Sequence, residues 1–222
     1  MPHLLSKSKY IRGLQCDRAL WLDVFNPRLA RYTAEQMRRF DRGRDFEYAF
    51  KSTFPDGIDL SAELKRNVDS YPARTAELLD KGDGVALFEA GFLYDDVLVL
   101  ADVVQQREDG TLDIYEVKSG TALSETYRRD AALQHYVISH CRSINKFCIV
   151  YNGADGANGF NVVDLTEELA TQHDEIEKNI AVMKEILRHG EPDTPTGAHC
   201  LEPYACPYQH YCAQGTRQLS LF

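Results

Sequence analysis

Residues 97–120, VLVLADVVQQREDGTLDIYEVKSG, constrain the fold more than any other stretch. Positions 97–105 form a nearly continuous apolar run, the pattern of a strand buried on both faces. Glu108, Asp109 and Gly110 supply a turn, and 111–119 resumes the strand. Into this apolar frame the sequence sets Asp102, Glu116 and Lys118. Ionisable groups on buried strands are costly unless they pair or hold a metal. Glu116 and Lys118 are two apart and share one face of their strand. A two-residue loop at 109–110 turns Asp102 to the wrong face. A three-residue loop, 108–110, with Gly110 left-handed, sets Asp102 opposite Glu116 on the same face, and this is the expected geometry. The two carboxylates then repel each other unless a divalent cation lies between them. Oxygen ligands of this kind suit magnesium or manganese. Lys118, one side-chain step along, is placed to orient or activate a water. An ordinary hairpin with a buried salt bridge accounts for one acid and the lysine, but leaves the second acid unexplained.

A chain of 222 residues suits one domain with extensions. The N-terminal sequence MPHLLSKSKYIRG has no apolar targeting core, and no segment approaches membrane-spanning length, so a cytoplasmic protein with no membrane partner is expected. Six cysteines in such a chain favour metal or cluster ligation over disulfides. The net charge of −9 is unevenly spread: residues 1–51 carry 11 Lys+Arg and 6 Asp+Glu, a net of +5, against −14 for the remainder. The basic segment fits a phosphate-backbone surface beside an acidic metal site, and a solvated helical surface fits the same charges equally well.

In chain order, 6–22 reads as one helix containing Cys16, ended by Asn26 and Pro27. A second helix opens at Thr33, where Thr33 and Gln36 have capping-box spacing, and runs to Pro55 with Met37, Phe40, Phe46 and Phe50 as its core. Glu47 and the arginines Arg38, Arg39, Arg42 and Arg44 remain for solvent, DNA or the site. Residues 55–70 carry no clear pattern. Residues 72–81 form a short helix stopped by Gly82. Residues 85–94 form the first core strand, with Glu89 in its middle, facing water or reaching the metal. A helix over 125–140 places Tyr127, Asp130 and Gln134 on one stripe. Strands follow at 146–151 and 160–164, then a long packing helix over 166–188.

The tail GAHCLEPYACPYQHYC sets Cys200, Cys206 and Cys212 at equal spacing in a Pro-containing, loop-like segment with little aliphatic core, which a metal centre would order. Cys16 is the natural fourth ligand, since Cys141 and Cys148 read as buried apolar fillers. Zinc and iron–sulfur both fit. No short C-x-x-C knuckle is present, and His199 could complete a zinc site in place of Cys16.

Asp102, thirteen intervening residues and Glu116-Val117-Lys118 resemble the PD-(D/E)XK nuclease signature. The order helix, three strands, helix, strand is that of its α/β, restriction-endonuclease-like core, a small mixed sheet flanked by helices. Together with one early cysteine in YIRGLQCDRALWL and the late HC-x5-CPY-x3-C cluster, the chain resembles the RecB-type CRISPR-associated exonuclease family and the nuclease domain of the AddB helicase subunit over nearly its whole length. The resemblance implies a structural 4Fe–4S cluster on Cys16, Cys200, Cys206 and Cys212, and Mg2+- or Mn2+-dependent cleavage of DNA, usually with a single-stranded portion, in repair, replication or CRISPR adaptation. It implies metal binding by Asp102, Glu116, Val117 and Glu89, with Lys118 and Gln134 catalytic. The chain departs from the family at Glu47, where a His is common, and at Ile138, where Gln-x-x-x-Tyr would place a tyrosine; the nearest is Tyr136. The expected organisation is a single nuclease domain over 1–217: a helical N-terminal segment over 1–55, a catalytic core 83–165, a long helix 166–190 and a cluster segment 195–213. The final QLSLF, comprising Gln218, Leu219, Ser220, Leu221 and Phe222, resembles the QL(S/D)LF peptide by which bacterial proteins bind the β sliding clamp, and implies an accessible, extended tail. The competing expectation, from another class, is a non-cleaving DNA- or clamp-binding module on a nuclease fold.

Overall fold

Strand β4 (Val97–Gln106) is the axis of a mixed seven-stranded sheet in the computed structural model of the chain, flanked by helices. The residues described are 4–65, 67–82, 84–153 and 159–219, with backbone alone for Arg39, Phe40 and 215–219. The sheet runs β2 (Ile58–Asp59), β3 (Ala86–Tyr94), β4, β5 (Leu112–Lys118), β6 (Ile144–Asn152), β7 (Phe160–Asp164), and β1 (Leu5–Ser6) is added on β4. Strands β3, β4 and β5 form an antiparallel meander. The crossover through α6 (Glu125–Ser139) makes β5 and β6 parallel.

The turn between β4 and β5 has the expected form. Arg107 and Thr111 close the ladder, residues 108–110 are the loop, and Gly110 sits at φ 81°, which a glycine adopts without strain. The ladder pairs Val103 with Tyr115, so the next step of the same register sets Asp102 across from Glu116. Strand β3 occupies the whole of the other edge of β4, so β1 and β5 share one edge. There β1 pairs with Val97 and Leu98, while β5 takes over at Val103. The two partners diverge between these points, and this fork lies at Asp102.

The core around the sheet is apolar and aromatic: Phe50, Ala86, Phe88, Val103, Val117 and Val150 are buried, with Phe46, Phe54, Tyr115 and Phe160 packed on them. Helix α5 (Tyr71–Lys81) ends at Gly82 (φ 68°), as expected, and lies so close to β3 that a Cβ on Gly91 would fall 2.4 Å from Cβ of Tyr71.

Several expected boundaries are corrected. The 6–22 helix is broken into α1 (Lys7–Gln15) and α2 (Asp17–Phe25), because Cys16 takes an extended conformation and Asp17 starts a new helix with an acid in its first turn. Helix α3 (Ala34–Lys51) does open with the capping box: the Gln36 amide donates to Thr33 Oγ1 at 3.2 Å, and Thr33 N–H to Gln36 Oε1 at 2.8 Å. It stops at Lys51 rather than near Pro55, where the hydroxyls of Ser52 and Thr53 take up carbonyls of its last turn. Met37 is not a core residue but is 51% exposed. The unpatterned 55–70 region contains β2 and the short α4 (Leu60–Leu64), capped by Asp59. The expected 166–188 helix is two, α7 (Thr166–Ala170) and α8 (His173–Arg188), interrupted where the Thr171 hydroxyl donates to the Glu168 carbonyl at 2.7 Å.

The chain divides into two compact units, Met1–Lys7 with Arg38–Ile176 and Ser8–Met37 with Glu177–Phe222. The first contains the sheet. The second has its own core, in which Ala19, Leu22 and Tyr208 are packed with Trp21, Leu29 and Tyr211. Within it α1 and α8 approach closely enough that a Cβ on Gly13 would fall 2.6 Å from Met183 Cε. Its last helix, α9 (Gln209–Leu219), takes in the backbone of Gln218 and Leu219, which corrects the expectation of an extended tail for these two. Ser220, Leu221 and Phe222 lie outside the described residues.

Candidate functional site

The fork in the sheet concentrates acid. At its apex the Val117 N–H, which an unbroken ladder would bond to a backbone carbonyl of β4, donates instead to Asp102 Oδ2 at 2.7 Å. Asp102 and Glu116 are both buried. On β3, Glu89 stands in register with Asp102 and takes φ 55°, a left-handed backbone that a side chain disfavours and that clusters at functional sites. Carboxylate oxygens of Glu47, Glu89 and Asp102 lie within 4.8 Å of one another. Glu47 comes from α3, on which Lys51 follows one turn later. Lys51 bonds Glu47 and lies 2.7 Å from Glu89.

Glu116 is not one of that group. Its Oε1 accepts from Lys118 Nζ at 2.5 Å and from Lys7 Nζ at 2.8 Å, while its Oε2 is buried with no partner among the described residues. Lys118 also bonds Asp130 of α6. One turn further along α6, on the same face, Gln134 is fully buried with both amide atoms unpartnered among the described residues, as is Asp130 Oδ1. Ile138 and Tyr136 are buried core residues.

The charges are strongly coupled. Burial, then the neighbouring Glu116 charge, pushes Asp102 well above the usual carboxylate range against the pull of Lys7 and Lys118. Burial acts on Glu116 in the same sense, but Lys118 and Lys7 outweigh it and hold that carboxyl below its usual range. Burial likewise disfavours charge on Lys118 and Lys7. Asp130 and Glu116 outweigh it in both, so both ammoniums are held protonated. Glu89 is raised by burial, with Lys51 opposing. Five carboxylates thus face three ammoniums, an excess of two negative charges when all are ionised. Unpaired buried polar atoms are rare and mark an absent ligand, water or ion. The oxygen donor set, the orphaned Glu116 Oε2 and the charge excess fit one divalent cation of the magnesium or manganese type.

A second chemical centre lies within the second unit. Cys16, Cys200, Cys206 and Cys212 line one cavity with His199, Thr194, Pro195 and Gln209. The break between α1 and α2 is what turns Cys16 there, at the start of α2, where the amides of Ala19 and Arg18 favour its thiolate against the effect of burial. Burial raises the thiols of Cys16, Cys206 and Cys212, and each is raised further by neighbouring cysteines. The loop is held by its neighbours: Gln15 Nε2 reaches the carbonyls of His199, Glu202 and Tyr204 at 2.8, 3.2 and 2.6 Å, the Cys206 N–H donates to Cys200 O at 2.8 Å, and Tyr208 donates to Asp23. His199 Nε2 lies 3.7 Å from Cys200 Sγ. Cys141 and Cys148 belong to the other unit and do not line this cavity.

Sequence reasoning thus assembled Asp102, Glu116, Lys118 and the four cysteines, and put Asp130 on the right stripe without a role. Glu47 stood out only as a departure from a family pattern. Lys7, Lys51 and Gln15 gave no signal, because the contacts that tie them to the two centres, to Glu116, to Glu89 and to the 199–204 carbonyls, are remote in sequence.

No protein-family model matches the chain, and neither does any curated protein. Among solved structures, one titled "Crystal structure of SSO0001" aligns at 13% identity over 82% of this chain and 98% of that one, with a TM-score of 0.35, a likeness too loose to bear on the argument. Among the described residues, no helix is long and apolar enough to cross a membrane.

Proposed function

We infer that the protein is a divalent-metal-dependent deoxyribonuclease on a PD-(D/E)XK core, acting on DNA with a single-stranded portion. The observation that carries this reading is the fork at Asp102, where carboxylates from β3, β4 and α3 converge and the β5 carboxylate of Glu116 stands near Asp102 beside a buried lysine. Glu47, Glu89, Asp102 and Glu116 would hold Mg2+ or Mn2+. The bound cation would supply Lewis-acid polarisation of a phosphate and a water of lowered pKa. Lys118, held as an ammonium between Glu116 and Asp130, donates to the charge that develops on the phosphate and positions the attacking water. Gln134 offers a donor and an acceptor from α6 for that water or a phosphate oxygen. Lys118→Ala, compared with wild type on labelled single-stranded and flapped DNA in Mn2+, should lose about 10²-fold or more in rate. Equal inertness of both proteins supports the non-cleaving binding module instead.

The same reading assigns Cys16, Cys200, Cys206 and Cys212 to a structural 4Fe–4S cluster. The convergence of four thiols on one cavity supports it, since their thiolates repel one another unless a cationic centre is bound. The QLSLF tail is proposed to bind the β sliding clamp, which would raise local concentration on DNA without a new DNA contact. That assignment rests on the sequence.

A further inference from the structure

Lys7 has no role in the mechanism above, yet it reaches the centre of the site. It follows Ser6 of β1, whose parallel pairing of Leu5 with Val97 and Ser6 with Leu98 fixes it beside β4 at the lip of the fork. Its Nζ lies 2.8 Å from Glu116 Oε1 and 3.9 Å from Asp130 Oδ2. Two ammoniums, Lys7 and Lys118, therefore fall on the same oxygen of one carboxylate, while the other oxygen is buried without a partner among the described residues. Lys118 lies 2.5 Å from Glu116 Oε1 and also bonds Asp130. Lys7 is the more accessible of the two, with 27% of its side chain exposed against 18% for Lys118, and it sits on a flexible four-carbon stem.

On the nuclease reading, we propose that Lys7 is a second substrate-binding cation, which donates to a phosphate oxygen of the nucleic-acid strand next to the reacting phosphate. With a divalent cation held by the carboxylates, Glu116 would be balanced without Lys7, and the Lys7 ammonium would be available to the strand. No proton moves in this step. Lys7 changes partner from carboxylate to phosphate and keeps its charge. The acids of the pocket repel DNA, and a cation on β1, outside the D…ExK strands, offsets that repulsion where the strand must approach most closely.

The test is fluorescence anisotropy of a fluorescein-labelled oligothymidylate with wild type, Lys7→Met, Lys7→Gln and Lys7→Arg in Ca2+ across a salt series. Glutamine still donates to Glu116, so Lys7→Gln reports where Lys7→Met fails to fold. Both neutral variants should bind about tenfold or more weakly, as for loss of one hydrogen bond between charged groups. Their slope of log affinity against log salt should be shallower by about 0.7, one phosphate contact on a single strand. Lys7→Arg should restore both. If wild type binds and cleaves while Lys7→Gln keeps its affinity and slope, Lys7 is only a counter-ion to Glu116 and the proposal is overturned alone. If wild type neither binds in Ca2+ nor cleaves in Mn2+, the nuclease reading falls and takes this role with it.

Discussion

Asp102 is the residue at which function opposes stability. It is buried beside Glu116, raised by burial and by that neighbour's charge, and its own firm donor is the Val117 amide. An asparagine keeps the acceptor and removes the repulsion. Asp102→Asn should therefore stabilise the metal-free protein, with the melting midpoint rising about 2–4 °C for each kcal/mol gained in a chain of this size. Mn2+ bound by the folded state should raise the wild-type midpoint further, and the substitution should abolish that rise. Thermal melts with and without Mn2+ check both, and a destabilised, still metal-responsive variant contradicts the assignment. Asp102, Glu116 and Lys118 were legible because charges that interrupt apolar strands need partners, and because loop length decides which face they share. Lys7 was not, since Glu116 stands 109 residues away, and neither was the reach of Lys51 to Glu89, 38 residues away; only the fold brings these together.

Elements were read well where local chemistry decides them and poorly where a single residue breaks a pattern. Gly110, Gly82 and the Thr33 capping box set their turn, stop and start as expected. The break at Cys16 could not be read from helical periodicity, because it turns Cys16 to a cavity whose other cysteines are nearly two hundred residues on. Helix α6 carries a further consequence. On its buried side His135 Nδ1 lies 2.8 Å from His173 Nε2, and burial, helped by the His173 charge, lowers His135 to about 4. Native His135 therefore stays neutral while the unfolded chain takes up its proton near pH 6.5. The stability this gives is complete above about pH 6.5 and is lost as pH falls towards 4. Urea midpoints should drop between pH 7 and pH 5, and His135→Gln should flatten that region of the profile. An unchanged profile would show that His135 does not titrate in this way.

At the scale of the whole molecule, the chain carries an acidic centre in one unit and a cysteine centre in the other. Anaerobically purified protein should be brown, absorb broadly into the violet and carry about four iron atoms per chain. Cys206→Ala should bleach it and loosen the C-terminal segment, whereas one zinc and no iron in anaerobic preparations would replace the cluster by a zinc site. Deleting residues 218–222 should abolish clamp binding by calorimetry and leave cleavage of short oligonucleotides unchanged. Loss of folding on deletion, or no clamp binding by intact protein, would make the tail structural. The central claim, that converging carboxylates make a metal-dependent nuclease, is tested most directly by cleavage of labelled single-stranded and flapped DNA by wild-type protein. Cleavage should cease on chelation and return on adding Mn2+ or Mg2+; cleavage that persists without metal, or no cleavage with any divalent cation, would contradict the claim.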